Sequence, residues 1–186
     1  MTKMTLPIAC SMIAMLICST SFSQKLIDKS ATITFFSEAP MENIAATNSD
    51  AQGVIDMETG TVAVSMYMSR FKFEKSLMQE HFNENYVESE KFPKATFTGN
   101  ITDFDKRQIK KIDQDLSYPV MGKMTMHGVT NDFEGEVKFS KEGNSLKAVT
   151  EFTISIADYD VDIPKMVIMN IAEEVLVTAI FNFEMP

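Results

Sequence analysis

Cysteine is almost missing from this sequence. The two that occur, Cys10 and Cys18, both lie in the first 18 residues. If that segment is removed as a leader, the remaining chain can form no disulfide and do no thiol chemistry. It must then be stabilised by its core alone, which about 160 residues can supply. Long hydrophobic runs are missing too. The apolar run Leu6–Cys18 covers thirteen residues, too few to span a bilayer and suited to a signal-peptide core. Lys3 precedes it, and Ser21 and Ser23 supply small residues at the −3 and −1 positions. The expectation is a signal peptide over 1–23, cleaved after Ser23, and a single domain over 24–186. Ile17 before Cys18 is not the small residue that lipidation needs.

Basic residues are scarce as well. Beyond residue 23 there are 16 basic and 26 acidic side chains, a balance of −10. Such a surface repels phosphate backbones, so nucleic acid is not an expected partner. Lys106, Arg107, Lys110 and Lys111 stand close together and read as a solvated loop. The motifs of common enzymes are also absent: no serine-centred elbow, cysteine nucleophile, phosphate loop or zinc spacing. Three acid pairs, Glu80 with Glu84, Asp113 with Asp115 and Glu173 with Glu174, read as solvated faces rather than acid–base machinery. There are no internal repeats and no low-complexity tracts. The expectation is a protein that is not an enzyme and needs no cofactor.

What is present is period-two alternation, the mark of half-buried strands. Thr61–Ser69 puts Val62, Val64, Met66 and Met68 on one face. Leu116–Met126 does the same with Leu116, Tyr118, Val120, Gly122, Met124 and Met126. Val129–Phe139 sets Val129, Phe133, Val137 and Phe139 opposite Asp132, Glu134, Glu136 and Lys138. Leu146–Ile156 and Val175–Phe183 continue the pattern. Glu58-Thr59-Gly60 and Glu142-Gly143-Asn144 read as hairpin turns, and Gly128 marks a tight joint. With Val54–Met57, Ile33–Ser37 and Ala95–Asp103 there are about eight strands, a number consistent with a closed antiparallel barrel; the alternation itself suits a sandwich equally well. Phe73–Asn83 departs from the pattern, with Phe73, Leu77 and His81 four apart and Met78 and Phe82 beside them, the spacing of a short helix. A second helical or looped stretch is expected over Ile163–Ala172, opened by Pro164.

The inward parity is rich in methionine and phenylalanine. Eleven methionines follow residue 23. Methionine adapts to irregular apolar shapes, so these residues suit either a filled core or a cavity wall. An eight-stranded barrel can be packed with side chains or hold one small ligand.

Two blocks then resemble a known family. His81–Ile101, with Lys91, Phe92, Pro93 and Phe97, and Gly122–Thr130, reading GKMTMHGVT, are similar to the two signatures of the YceI-like family. The resemblance spans nearly all of 26–185. It implies an exported, lipocalin-like antiparallel barrel with one or two short helices at its mouth. It also implies an apolar long-chain ligand: a polyisoprenoid, an isoprenoid quinone or a fatty-acid-like amphiphile. The chain departs from the family pattern at Met124 and Met126, where aliphatic residues are usual, and at Asp158-Tyr159-Asp160-Val161, where a Phe-Gly pair is common. The expected wall is Phe35, Val64, Met66, Phe97, Met124, Met126, Phe133, Phe152, Ile154 and Phe181, with Leu77, His81 and Phe82 as a lid. The expected setting is the periplasm or the exterior, with carriage or storage as the role. Passing membrane contact and a homodimer covering a strand edge both stay open at this point.

Two alternatives compete. One is an envelope stress or structural protein with a filled barrel. The other is a copper-binding protein using Met66, Met68, Met124 and Met126, since thioethers suit Cu(I). Against the second, His127 has the opposite parity to Met124 and Met126, so an ideal strand points it away from them.

Overall fold

The structure, a computed structural model, describes residues 24–39, 42–162 and 172–185. The expected leader lies outside the described residues, as does nearly all of the 163–172 stretch, Pro164 included. Among the described residues there are nine strands: β1 (Lys25–Ser37), β2 (Ile44–Asp56), β3 (Thr61–Tyr67), β4 (Lys72–Phe73), β5 (Lys94–Ile101), β6 (Leu116–Met126), β7 (Val129–Glu142), β8 (Ser145–Ser155) and β9 (Glu174–Glu184). Every pairing is antiparallel. The order β1-β2-β3-β5-β6-β7-β8-β9 returns to β1 and closes an eight-stranded barrel. The two-residue β4 lies outside this cycle and pairs with Ala46 and Thr47 of β2.

The connections alternate between two ends. At one end the turns are short. Gly60 (φ 72°) closes β2 onto β3, with its N–H donating to the Asp56 carbonyl at 2.8 Å. Gly143 (φ 62°) and Asn144 join β7 to β8, as a two-residue turn with glycine first requires. The short helix α1 (Ser76–His81) and the π-helical turn Phe82–Tyr86 belong to the other end, with the 3₁₀ turn Ile156–Tyr159. The hairpin His127-Gly128 also lies there, at φ 51° and 80°, the mirror-image turn that matches strand twist.

A second helix, α2 (Lys106–Lys110), lies at the short-turn end. It corrects one expectation, turning the supposed basic loop into a structural element. Asp105 caps it, accepting from the Arg107 N–H at 2.8 Å. Lys106 pairs with Glu58 and Arg107 with Asp105. Its apolar side buries Ile109 completely. Ile112, Phe104 and Tyr118 complete a floor, with the Tyr118 hydroxyl donating to Gln108 Oε1 at 3.1 Å. Above it Phe139, Leu146, Ile55, Ile101 and Phe183 fill the lower barrel.

The first helix is also displaced from its expected bounds. Phe73 belongs to β4, and the helix starts at Ser76. Phe71 and Phe73 alternate with Lys72, and that period-two signal wins over the four-residue spacing. Strands β1 and β2 are far longer than expected. The inward positions of β2 are Ala46, Asn48, Ala51, Gly53 and Ile55, too small or too polar to read as an apolar face. Both strands also change parity within their length. The register of β1 against β2 shifts at Asp28/Ala31 and again at Ala31/Ile33, as bulges do.

Candidate functional site

The middle of the barrel is thinned by glycine. Gly99 and Gly122 face each other across β5 and β6, and Gly135 stands inward on β7. A Cβ on Gly122 would lie 2.7 Å from the Phe97 ring, and one on Gly135 2.9 Å from Phe133. The missing side chains therefore make room for the phenyl rings beside them. Phe97, Phe133 and Phe152 then form an edge-to-face chain with centroids 5.3 and 4.8 Å apart. Such contacts contribute about 0.5–1.5 kcal/mol each beyond area burial.

Beside and above this layer the barrel is hollow. Val62, Val64, Met66, Met124, Phe152 and Ile154 point inward yet are only partly buried. An inward side chain retains accessible surface only where it borders space. The cavity measures about 610 Å³, within the usual range for small-molecule sites. Its wall is almost wholly hydrocarbon. The roof is a phenylalanine cluster: Phe82 lies 5.7, 5.6 and 5.0 Å from Phe35, Phe71 and Phe73.

Polar groups on the lining are few. Glu42 and Lys75 pair at the rim, and the hydrogen bond that Lys75 donates to the Glu42 carboxylate holds its ammonium above the ordinary pKa. Burial pushes the Tyr86 phenol up, keeping it neutral. Thr150 is another, on β8 between Ala148 and Phe152. Its Oγ1 is buried without a hydrogen-bond partner.

All thirteen residues expected at the site border the cavity: Phe35, Val64, Met66, Leu77, His81, Phe82, Phe97, Met124, Met126, Phe133, Phe152, Ile154 and Phe181. They differ in setting. Phe181 and Met126 are buried in its wall, whereas Leu77 is 59% exposed and marks the rim. His81 is exposed too. Sequence reasoning missed Phe71 and Phe73, whose F-x-F alternation was the available signal, and Thr150, which no apolar pattern selects.

The histidine of the second block plays a different part. His127 is not in a strand, so strand parity does not govern it. Its side chain is 9% exposed. Nδ1 donates to the Tyr159 carbonyl at 3.0 Å, and Nε2 stands 3.1 Å from Glu88 Oε2. Its ring meets Phe92 edge-on at 4.4 Å. His127 thus ties together three mouth-end connections: the loop before β5, the β6–β7 turn and the 3₁₀ turn after β8. It faces away from the four methionines, which border the cavity. Among the described residues, no three His, Cys, Asp or Glu side chains gather as a metal site. Glu80, Glu84, Asp113, Asp115, Glu173 and Glu174 are all exposed.

The model of the YceI-like domain matches residues 25–183. The chain belongs to the YceI-like family. Three solved structures of similar fold accompany that match. The polyisoprenoid binding domain from Saccharophagus degradans is 14% identical, with a TM-score of 0.74 over 88% of this chain and 99% of that one. BcnA of Burkholderia cenocepacia is 16% identical, at 0.67 over 82% and 95%. The Campylobacter jejuni YceI protein is 13% identical, at 0.62 over 80% and 90%. No curated protein matches the chain in sequence. At these identities the likeness is one of fold.

Proposed function

We propose that this YceI-like chain binds a single long-chain apolar ligand inside the barrel and carries or stores it in the cell envelope. The observation that carries the reading is the hydrocarbon-walled cavity of about 610 Å³. At about 30 Å³ for each carbon-sized unit, the volume share of a water molecule, it takes roughly twenty carbons. A polyisoprenoid, an isoprenoid quinone tail or a fatty-acid-like amphiphile fits that description. The description of the Saccharophagus degradans domain as polyisoprenoid binding favours the first.

Affinity in this reading comes from burial. Each methylene removed from water contributes about 0.8 kcal/mol, so a dozen supply on the order of 10 kcal/mol gross. Association and ordering offset part of that. Binding then depends on chain length more than on chemical detail. The reading assigns no catalytic step, and the setting it implies is periplasmic or secreted.

The test is native mass spectrometry of protein purified from its own envelope, followed by lipid extraction. A stoichiometric adduct of isoprenoid or acyl mass is expected. Bare protein that also refuses added quinones and fatty acids would overturn the proposal and favour a structural role.

A further inference from the structure

The ladder of the barrel wall is interrupted along three strand boundaries among the described residues, and two of these are sutured. Between β1 and β9 the pairing stops at Thr32 and Ile180. Beyond that point the buried Asp28 accepts the Asn182 N–H at 2.7 Å. Between β2 and β3 it stops at Gln52 and Ser65. There the fully buried Asn48 donates from Nδ2 to the Tyr67 carbonyl at 2.9 Å, and β4 pairs with β2 higher up.

The boundary between β7 and β8 has no such repair. It is paired only from Val137 and Thr150 down to the Gly143 turn. Residues 129–136 of β7 pair with β6 alone, and 151–155 of β8 with β9 alone. At the top, Asn131 Nδ2 donates to the Asp158 carbonyl at 2.7 Å. What remains is an unladdered slot beside 132–136, about 16 Å long at roughly 3.3 Å per residue. Unpaired strand edges are costly to expose and are usually covered. Here the cover is aromatic: Phe133 and Phe152 meet across the slot at 4.8 Å on its inner side. Both border the cavity. A contact between two rings opens by side-chain rotation, whereas a ladder must break hydrogen bonds.

We infer that the slot between β7 and β8 is the port through which the ligand enters and leaves, with Phe133 and Phe152 as its shutter. This rests on the cavity-binding reading above. The mouth end is held by the His127 contacts, the Glu42–Lys75 pair and the phenylalanine roof, so the chain slides in sideways.

The test is a staple. Glu134 and Thr153 would face each other if the ladder continued, and both are exposed. The double variant Glu134→Cys with Thr153→Cys introduces the sole thiols of residues 24–186. Retinol, a fluorescent C20 isoprenoid alcohol, is the probe, and being neutral it is not repelled by Asp132, Glu134, Glu136 and Glu151 at the outer rim. Oxidation is expected to slow retinol uptake and release at least tenfold each while leaving Kd within about threefold, and reduction to restore both. Unchanged rates in fully cross-linked protein would overturn the port. A second variant, Phe152→Ala, is expected to speed both rates several-fold; no acceleration would count equally against it, whether or not the staple closes. If unmodified protein takes up neither retinol nor any other apolar chain, the cavity-binding reading itself fails, and the port with it.

Discussion

The ring of Phe181 occupies the space that a side chain on Gly53 would need. A Cβ there would stand 2.7 Å from its Cε1, well inside van der Waals contact. Phe181 comes from β9 and Gly53 from β2, with β1 between them. Gly53→Ala is therefore expected to destabilise the barrel by about 1–3 kcal/mol through overpacking. Urea denaturation followed by circular dichroism measures it. A neutral result would mean that the ring swings into the cavity at no cost, and retinol capacity would then fall.

Met66 stands on β3 in the cavity wall. Met66→Arg places a charge in a wall that is almost wholly hydrocarbon, and its long side chain would fill part of the hollow. Ligand uptake should fall by at least tenfold while the variant stays folded, since the residue is only partly buried. A folded Met66→Arg protein that binds as before would remove this residue from the ligand's path.

Thr150 carries a hydroxyl with no partner. An unsatisfied buried polar group costs roughly 1–3 kcal/mol, and replacing it with an apolar group of the same shape recovers part of that. Thr150→Val is thus expected to raise stability by about 1 kcal/mol. Apolar chains should bind it no more weakly than they bind the unmodified protein. A drop in thermal midpoint would show that the hydroxyl has a partner when the protein is in solution.

His127 holds its left-handed backbone conformation at a cost of about 1–2 kcal/mol. Its contacts with the Tyr159 carbonyl, Glu88 and the Phe92 ring offset that cost. His127→Ala keeps the strain and loses these contacts, so a loss of about 2 kcal/mol is expected. His127→Gly removes the strain as well and should be milder. Comparing the two by chemical denaturation separates backbone from side chain. Equal losses would assign the whole effect to the side chain.

Asp105 provides the acid dependence. The hydrogen bond from the Arg107 side chain, then that from its backbone N–H, hold its carboxyl below the ordinary range. A folded-state value lower than the unfolded one means that the carboxylate's contribution is complete above the unfolded value, about 3.9. It is lost as pH falls through the folded value. The cap of α2 should therefore loosen only in strong acid, and Asp105→Asn should abolish that transition. Chemical-shift titration of the Arg107 amide reads it directly.

Much of the barrel was legible from alternation, because β3, β6, β7, β8 and β9 carry long apolar side chains inward and charges outward. The strands that stayed hidden are those whose inner face is small or polar. Ala46, Asn48, Ala51 and Gly53 give β2 no hydrophobic period, yet Ala46 pairs with Phe35 and Phe73 and Gly53 leaves the room that the Phe181 ring fills. The bulges of β1 further break the count by shifting parity. Cavity residues were found by the same parity argument, since facing inward and lining a hollow are one property in a barrel. The hollow itself was not legible. It depends on three glycines that make room for the rings beside them, and on the roof that Phe71 and Phe73 join once β4 forms. The role of His127 was hidden too, because a turn residue obeys no strand period.

The two ends of the barrel do different jobs, and this makes the molecule modular. Short turns, α2 and the packed rings of Phe139 and Phe183 form an end that has little freedom to vary. Longer connections ring the other end, joined to each other by contacts such as that of His127 with Glu88. Loops at that end can be exchanged or randomised while the opposite end keeps the strands in register. The chain is thus a scaffold on which a receptor for a chosen hydrophobic guest can be selected without redesigning what holds it folded.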